Sequence, residues 1–322
     1  MKLIESTQLA NRFIEQWNDS NDHIIAHTSG STGKPKEIKL LKSDMIESAR
    51  ATCRFFNIDK NSVLVSPLSA DYIAGKMMII RSIVSDATLA MTEPSNHPDL
   101  KRFDKIDLLP VVPSQVDAIL ADPLNVNRIN HLLVGGGKTD ESLEKRIAQS
   151  GIDAWASYGM TETCSHVAVR RLGDPDSCYH ALPGITFSID SDSCLAIHSD
   201  NFSWKSLQTN DIVELVDNQS FRWLGRRDNV INSGGIKIIP EVVEQKISHI
   251  IDVPFYIVGR PDPKWSEAVI LYLESEQTLD TKILADEISK TLSPYERPKE
   301  IVVVRQFERT SSNKIKRKII GS

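Results

Sequence analysis

The residues of this 322-residue chain best suited to chemistry sit close together, at Thr28-Ser29-Gly30-Ser31-Thr32-Gly33-Lys34-Pro35-Lys36. Glycines let backbone N–H groups approach an anion closely, hydroxyls donate hydrogen bonds, and lysines supply charge, so the stretch suits a phosphate. A polar surface loop has the same composition, and the spacing is not that of a Walker A loop. Glu162 stands between Thr161 and Thr163, an acid flanked by hydroxyls. Asp211, in Thr209-Asn210-Asp211 just before an expected strand, reads on its own as a turn aspartate. Arg81 interrupts an apolar run and, once buried, needs an anionic partner from the protein or from a ligand. Lys314, Lys316, Arg317 and Lys318 form a basic stretch, which alone reads as a solvated charge run or a nucleic-acid patch.

The elements around these residues alternate. Residues 1–17 read as a short helix with Leu9, Phe13 and Trp17 on one face. His23–His27 reads as a strand before the glycine-rich loop. Ser43–Phe56 reads as a helix capped by Ser43, and Gly75–Val84 as an apolar helix. Strands are expected at Val63–Val65, Thr88–Met91, Leu108–Val112 and His131–Val134, with helices at Ser114–Leu120 and Asp140–Gln149. That alternation implies an α/β architecture with a largely parallel sheet. Between Cys178 and Trp223 short alternating segments imply a small antiparallel β region. A charged turn, Gly225-Arg226-Arg227-Asp228, precedes an α+β stretch long enough to form its own small domain. The expected division is residues 1–227 and 228–322.

Composition narrows the class. Lys and Arg number 38 against 43 Asp and Glu, a net charge of −5 that argues against a general nucleic-acid binder. No apolar run approaches the roughly 18–20 residues that span a bilayer, and Met1–Ala10 does not read as a secretory signal. Four cysteines without a C-x-x-C pair indicate neither a disulfide framework nor a thiolate metal site. A cytoplasmic protein without membrane insertion is expected, its oligomeric state left open.

Four motifs together resemble those of the adenylate-forming enzymes, the acyl- and aryl-CoA ligases, luciferases and nonribosomal adenylation domains. Thr28–Lys36 resembles their phosphate loop. Ser157-Tyr158-Gly159-Met160-Thr161-Glu162-Thr163 resembles their Y-G-x-T-E motif. Asp211 with Gly225–Asp228 and Gly234-Gly235…Pro240 resembles their ribose-and-hinge block. Arg309–Ile315 resembles their terminal lysine motif. One match is weak; four in the family's order are specific. The resemblance implies a large N-terminal domain, a small mobile C-terminal domain, and the substrates ATP, with Mg²⁺, a small carboxylic acid and coenzyme A. It implies nucleotide contacts from Thr28, Ser29, Gly30, Ser31, Thr32, Gly33, Lys34 and Lys36, from the second glycine loop Gly135-Gly136-Gly137, and from Ser157, Tyr158 and Gly159, with Tyr158 stacked on adenine. It implies Thr161 as a phosphate contact and Glu162 as the metal ligand. Asp211 and Arg226 would reach the ribose or phosphate, with Gly234 and Gly235 nearby. Asp228 takes the hinge position and Lys314 the catalytic one. Asn210 and Asn313 stand where the family usually has glycine.

The acyl pocket is expected around Pro67–Arg81. The family's usual histidine is missing here, with Asp71-Tyr72 near its place. Asp71-Tyr72-Ile73-Ala74-Gly75-Lys76-Met77-Met78 is similar to bacterial o-succinylbenzoate–CoA ligases, in which a basic residue stands at the offset of Arg81. The resemblance therefore implies Gly75 and Arg81 as substrate residues, with Arg81 anchoring a second, aromatic carboxylate. Family members usually carry a hundred or more further residues before the phosphate loop, so a short form lacking most of the first subdomain is expected. The alternatives are a ligase for another aryl or short-chain acid and a non-catalytic nucleotide-binding relative.

Overall fold

The apolar run around Met77 folds as the helix Ile73–Ser85, with Gly75 and Met77 through Ser82 all buried. The structure, a computed structural model, describes residues 1–27, 37–137, 139–310 and 315–320. Apolar on nearly every side, this helix can only be a core helix. It packs against the helix Lys42–Phe55, and Met45, Ala49, Met77, Met78 and Ile80 share one core. It stops at Asp86, whose left-handed backbone (φ 55°) cannot continue a helix.

Three parallel strands lie in the order Lys2–Glu5, Thr88–Met91, Val63–Ser66, with Lys2 and Val63 both in register with Thr88. The expectation of one helix over residues 1–17 therefore fails at its start. Lys2–Glu5 finds a strand partner 86 positions on, and the helix begins at Gln8, where the Thr7 hydroxyl accepts the Ala10 N–H at 3.2 Å. The expected Ser43 cap is also absent. That helix begins at Lys42 with no side-chain cap, and Asp44 instead accepts Ser203 N–H at 2.8 Å.

A nine-stranded sheet runs in the order Ile185–Ile189, Cys194–Ser199, Ser206–Asp217, Ser220–Arg226, Tyr179–Ala181, His166–Arg171, Ala154–Gly159, Leu132–Val134, Leu109–Val111. Its last three strands are parallel and Ala154–Gly159 is antiparallel to His166–Arg171. The antiparallel segments expected between Cys178 and Trp223 are present, and they join one large mixed sheet. Ala154–Gly159, His166–Arg171 and the helix Pro123–Arg128, capped by Asp122, were not legible as elements.

By internal contacts the chain forms two compact units. The first is 1–188, 197–207 and 216–221; the second is 189–196, 208–215 and 222–322. In the second unit, Ser266–Glu274 is the central strand, antiparallel to Phe255–Asp262 and parallel to Glu300–Val304. Its side chains alternate: Val269, Leu271 and Leu273 join a core with Val243, Ile247 and Ile288, while Ile270 and Tyr272 join Tyr256 and Phe307 on the other face. Both faces are therefore covered. The four cysteines are free and buried, and no helix among the described residues is long and apolar enough to cross a membrane.

Gly75 sits where the helix crosses the preceding loop, and a Cβ there would lie 2.2 Å from the Ser69 carbonyl oxygen. Backbone cannot yield as a side-chain tip can, so Gly75→Ala is expected to lower stability by about 1–3 kcal/mol. Urea denaturation checks this; an unchanged midpoint would show that the helix and loop are not in close contact.

Candidate active site

Arg81 is the side chain whose setting most needs explaining. It is only 2% exposed. Its Nη2 donates to Ser165 Oγ at 2.7 Å and lies 3.5 Å from His166 Nδ1, its Nη1 lies 3.4 Å from Met78 Sδ, and its Nε has no hydrogen-bond partner. No carboxylate pairs with it among the described residues. Burial lowers its pKa to about 10, which still leaves it charged at neutral pH. Lys76 is directed elsewhere: its Nζ donates to the Asp71 carbonyl at 2.8 Å and lies over the Phe13 ring. Asp71 and Tyr72, near the place of the absent histidine, are exposed.

Ser165 and His166, which sequence reasoning missed, owe their place to the neighbouring motif. Gly159 closes its strand against them: a Cβ there would lie 2.3 Å from Ser165 O and 2.6 Å from His166 Cα. Thr163 tightens the turn, its Oγ1 accepting the Met160 N–H at 3.0 Å and lying 2.9 Å from Met160 O and 2.7 Å from Ser165 O. His166 is buried, with Nε2 3.2 Å from Thr52 Oγ1. Burial, and then the Arg81 charge, push its pKa well below the ordinary imidazole range, so the ring is neutral. The available signal was position alone: two polar residues directly following the Thr161–Thr163 motif.

The residues of the first unit expected to contact nucleotide gather at the carboxyl ends of parallel strands, where open α/β sheets bind ligands. Gly135-Gly136-Gly137 follows Leu132–Val134, and Ser157-Tyr158-Gly159 ends the adjacent strand. A Cβ on Gly135 would lie 2.6 Å from Ser157 Oγ, and Gly136 has φ 77°. The half-buried Tyr158 ring lies 5.6 Å from Tyr179 and 5.0 Å from Phe221. Thr161–Thr163 is a 3₁₀ turn, and the exposed Glu162 makes no hydrogen bond or ion pair with the described residues. Thr28 through Lys36, expected as the phosphate loop, and Lys314 lie outside the described residues.

In the second unit the residues expected to serve the ribose and the hinge form one polar cluster. Asp211 accepts Trp223 Nε1–H at 3.2 Å and lies 3.5 Å from Arg226 Nη1. Arg226 Nη2 reaches Asp228 at 3.2 Å, and Asn210 Nδ2 lies 3.3 Å from the same carboxylate. Arg226 thus spans two acids. Asp228 sits in the 3₁₀ turn Arg227–Asn229. Gly234 (φ 60°) and Gly235 (φ 82°) turn the chain between Ile231–Ser233 and Ile236–Ile238, and Gly234 N–H donates to Trp265 O at 2.7 Å.

Residues 4–194 match the AMP-binding enzyme family and residues 253–314 the C-terminal domain of AMP-binding enzymes. The chain belongs to the AMP-binding enzyme family, and its fold is that of the adenylate-forming enzymes. Among curated relatives, the 2-succinylbenzoate–CoA ligase of Listeria monocytogenes is 25% identical over 98% of this chain and 73% of its own length. The same-named protein of Lactococcus lactis is 25% identical over 93% and 71%. Among solved structures, an acyl-CoA synthetase (AMP-forming)/AMP-acid ligase II-like protein from Dyadobacter fermentans is 34% identical, with a TM-score of 0.64, covering 95% of this chain and 91% of that one. The o-succinylbenzoate CoA synthetase of Bacillus subtilis, in complex with its acyl-adenylate intermediate, shares the fold at 23% identity and a TM-score of 0.78, covering 91% and 67%.

The neutral His166 has a consequence for stability. Above about pH 6.5 the ring is uncharged in both folded and unfolded chains. Below that, the unfolded chain takes up a proton that the folded chain refuses, so stability falls with pH. His166→Gln should remove up to about 2 kcal/mol of the loss between pH 6.5 and 5. Urea midpoints of both proteins at pH 7 and pH 5 measure this, and equal acid slopes would contradict it.

Proposed function

We propose that this protein is an adenylate-forming acid–CoA ligase acting on o-succinylbenzoate. A substrate carboxylate oxygen attacks the ATP α-phosphorus and pyrophosphate leaves. The CoA thiol then attacks the acyl-adenylate carbonyl and AMP leaves. The observation that carries the reading of the acid is Arg81. A buried guanidinium with an unpartnered Nε and no carboxylate partner among the described residues is suited to an anionic group brought by the substrate. A dicarboxylic acid satisfies this: one carboxylate reacts and the other pairs with Arg81, beside Ser165 and neutral His166. The names of the curated relatives agree with that choice. A monocarboxylic aryl or short-chain acid would leave Arg81 unpaired, which makes it the weaker reading.

The remaining roles follow the family motifs. Tyr158 and Gly135–Gly137 would take the adenine side, Asp211 the ribose hydroxyls, and Lys314 the α-phosphate and the attacking carboxylate, where an ammonium stabilises developing charge. Thr28–Lys36 would hold the phosphates and Thr161 would contact them. Mg²⁺, when bound, would neutralise phosphate charge. Glu162, an exposed carboxylate with no partner among the described residues, fits a hard cation. Those residues contain no cluster of three or more such ligands, so phosphate oxygens and water would complete its shell. Menaquinone biosynthesis is the proposed setting and the cytoplasm the proposed location. The proposed moving parts are residues 1–227 and 228–322, pivoting at Asp228, because one site must first use Lys314 and then admit the thiol.

The direct test incubates the protein with ATP, Mg²⁺, CoA and o-succinylbenzoate and looks for the CoA ester by mass. Turnover with a monocarboxylic acid, and none with o-succinylbenzoate, would sink the choice of acid. Arg81→Ala should raise the KM for o-succinylbenzoate about 30-fold or more and leave the KM for ATP within about twofold, as expected for truncating a buried charged contact. Loss of stability with unchanged KM would mark Arg81 as structural. Lys314→Ala should abolish most pyrophosphate release while sparing thioester formation from supplied acyl-adenylate, and equal loss in both steps would argue against its role.

A further inference from the structure

The charges of the basic tail among the described residues, Lys316, Arg317 and Lys318, are paired within the second unit. Arg317 forms a two-pronged pair with Glu244, Nη1 to Oε1 at 2.7 Å and Nη2 to Oε2 at 2.8 Å. Glu244, buried on the helix Pro240–Ile247, also accepts the Ile257 N–H at 2.7 Å. Lys316 and Lys318 both pair with Glu308. The tail backbone is held as well: Tyr256 Oη donates to Lys318 O at 2.8 Å, and Tyr272 Oη lies 3.0 Å from both Ile320 O and Ile320 N. Upstream, Arg309 makes a second two-pronged pair with Glu274, which also accepts the Phe307 N–H at 2.7 Å. Arg309 and Ile315 face each other in an antiparallel bridge, and Lys316 N–H donates to Glu308 O at 2.8 Å.

In the sequence Lys314 stands between two Arg–Glu pairs, one five residues before it and the other three residues after it. Three residues of extended chain span only about 10 Å, so covalent reach alone bounds the distance between Arg317 and Lys314. We infer that Glu244 and Arg317 are positioning residues for Lys314, with Arg309 and Glu274 as the matching upstream anchor, so that formation of the acyl-adenylate depends on these pairs although none of the four touches a reacting atom. The inference rests on the proposed role of Lys314. The chemistry favours arginine in this position, because its planar fork fixes direction as well as distance, which a lysine in its place would not.

The test measures the two half-reactions separately in the full chain, pyrophosphate release with ATP and o-succinylbenzoate, and thioester formation from supplied o-succinylbenzoyl-AMP. Glu244→Gln, Arg317→Lys and Arg317→Ala are each expected to slow the first at saturating substrates by about tenfold or more, with the KM for ATP within about twofold and the second unchanged. Ile288→Val, a mild core change in the same unit, supplies the control for stability alone and should show no such split. Combining Lys314→Ala with Arg317→Ala should slow pyrophosphate release no further than Lys314→Ala does. Slowing of both half-reactions together, a split in the Ile288→Val control, or an additional loss in the double variant would overturn the inference. If Lys314→Ala itself left pyrophosphate release intact, the proposed role of the lysine would fail. If Lys314→Ala abolished it while Glu244→Gln and Arg317→Lys behaved as wild type, the positioning inference alone would fail.

Discussion

A guanidinium held out of water, with no carboxylate partner among the described residues, constrains much of the first unit. Desolvating a cation costs several kcal/mol even after relaxation, and Arg81 recovers only part of that from Ser165, Met78 and a neutral imidazole. The helix that carries it must already be secure. It is secure because its other buried positions are apolar and because Gly75 lets its first turn pass against the Ser69 carbonyl. His166 must remain uncharged beside it, and the burial that destabilises Arg81 also keeps that ring neutral. A stabilised helix thus bears the cost of a site suited to an anion.

The second unit solves its charge problem in the opposite way. Glu244 and Glu274 each meet an arginine fork and also accept a backbone N–H, so their lone pairs are well used. The central strand Ser266–Glu274 makes this possible by having two covered faces: helices pack on one, and on the other its own Ile270 and Tyr272 meet Tyr256 and Phe307. The two tyrosines stack at 5.3 Å and present their hydroxyls to the tail backbone. Apolar packing and polar anchoring therefore use the same side chains.

The glycines of the motifs divide by physical need. Gly75 and Gly159 exist because backbone approaches backbone there, whereas Gly234 and Gly235 turn the chain with positive φ. A motif glycine near a ligand site is thus not by itself evidence of ligand contact, since crowding within the protein is a sufficient reason at the first two.

Local pattern determined much from the sequence alone. The strands His23–His27 and Thr88–Met91 were legible to the residue, and the helix around Met77 to within two residues at its start, because alternation and continuous apolarity are short-range signals. The family motifs, including Tyr158, Glu162, Asp211 and Asp228, were legible because they are contiguous or nearly so. Tertiary structure decided what depends on distant partners. Lys2–Glu5 became a strand through pairing with Thr88–Met91, and the segments after Cys178 joined one large sheet through neighbours far along the chain. The apolar run around Arg81 implied burial, but only the packed fold showed that no described carboxylate meets it. Arg317 read as one charge in a basic run, and only the packed fold brought it to Glu244, 73 positions away. A short window records the type of a charge but not its neighbour, and whether a buried charge is neutralised by the protein or left for a ligand depends on that neighbour.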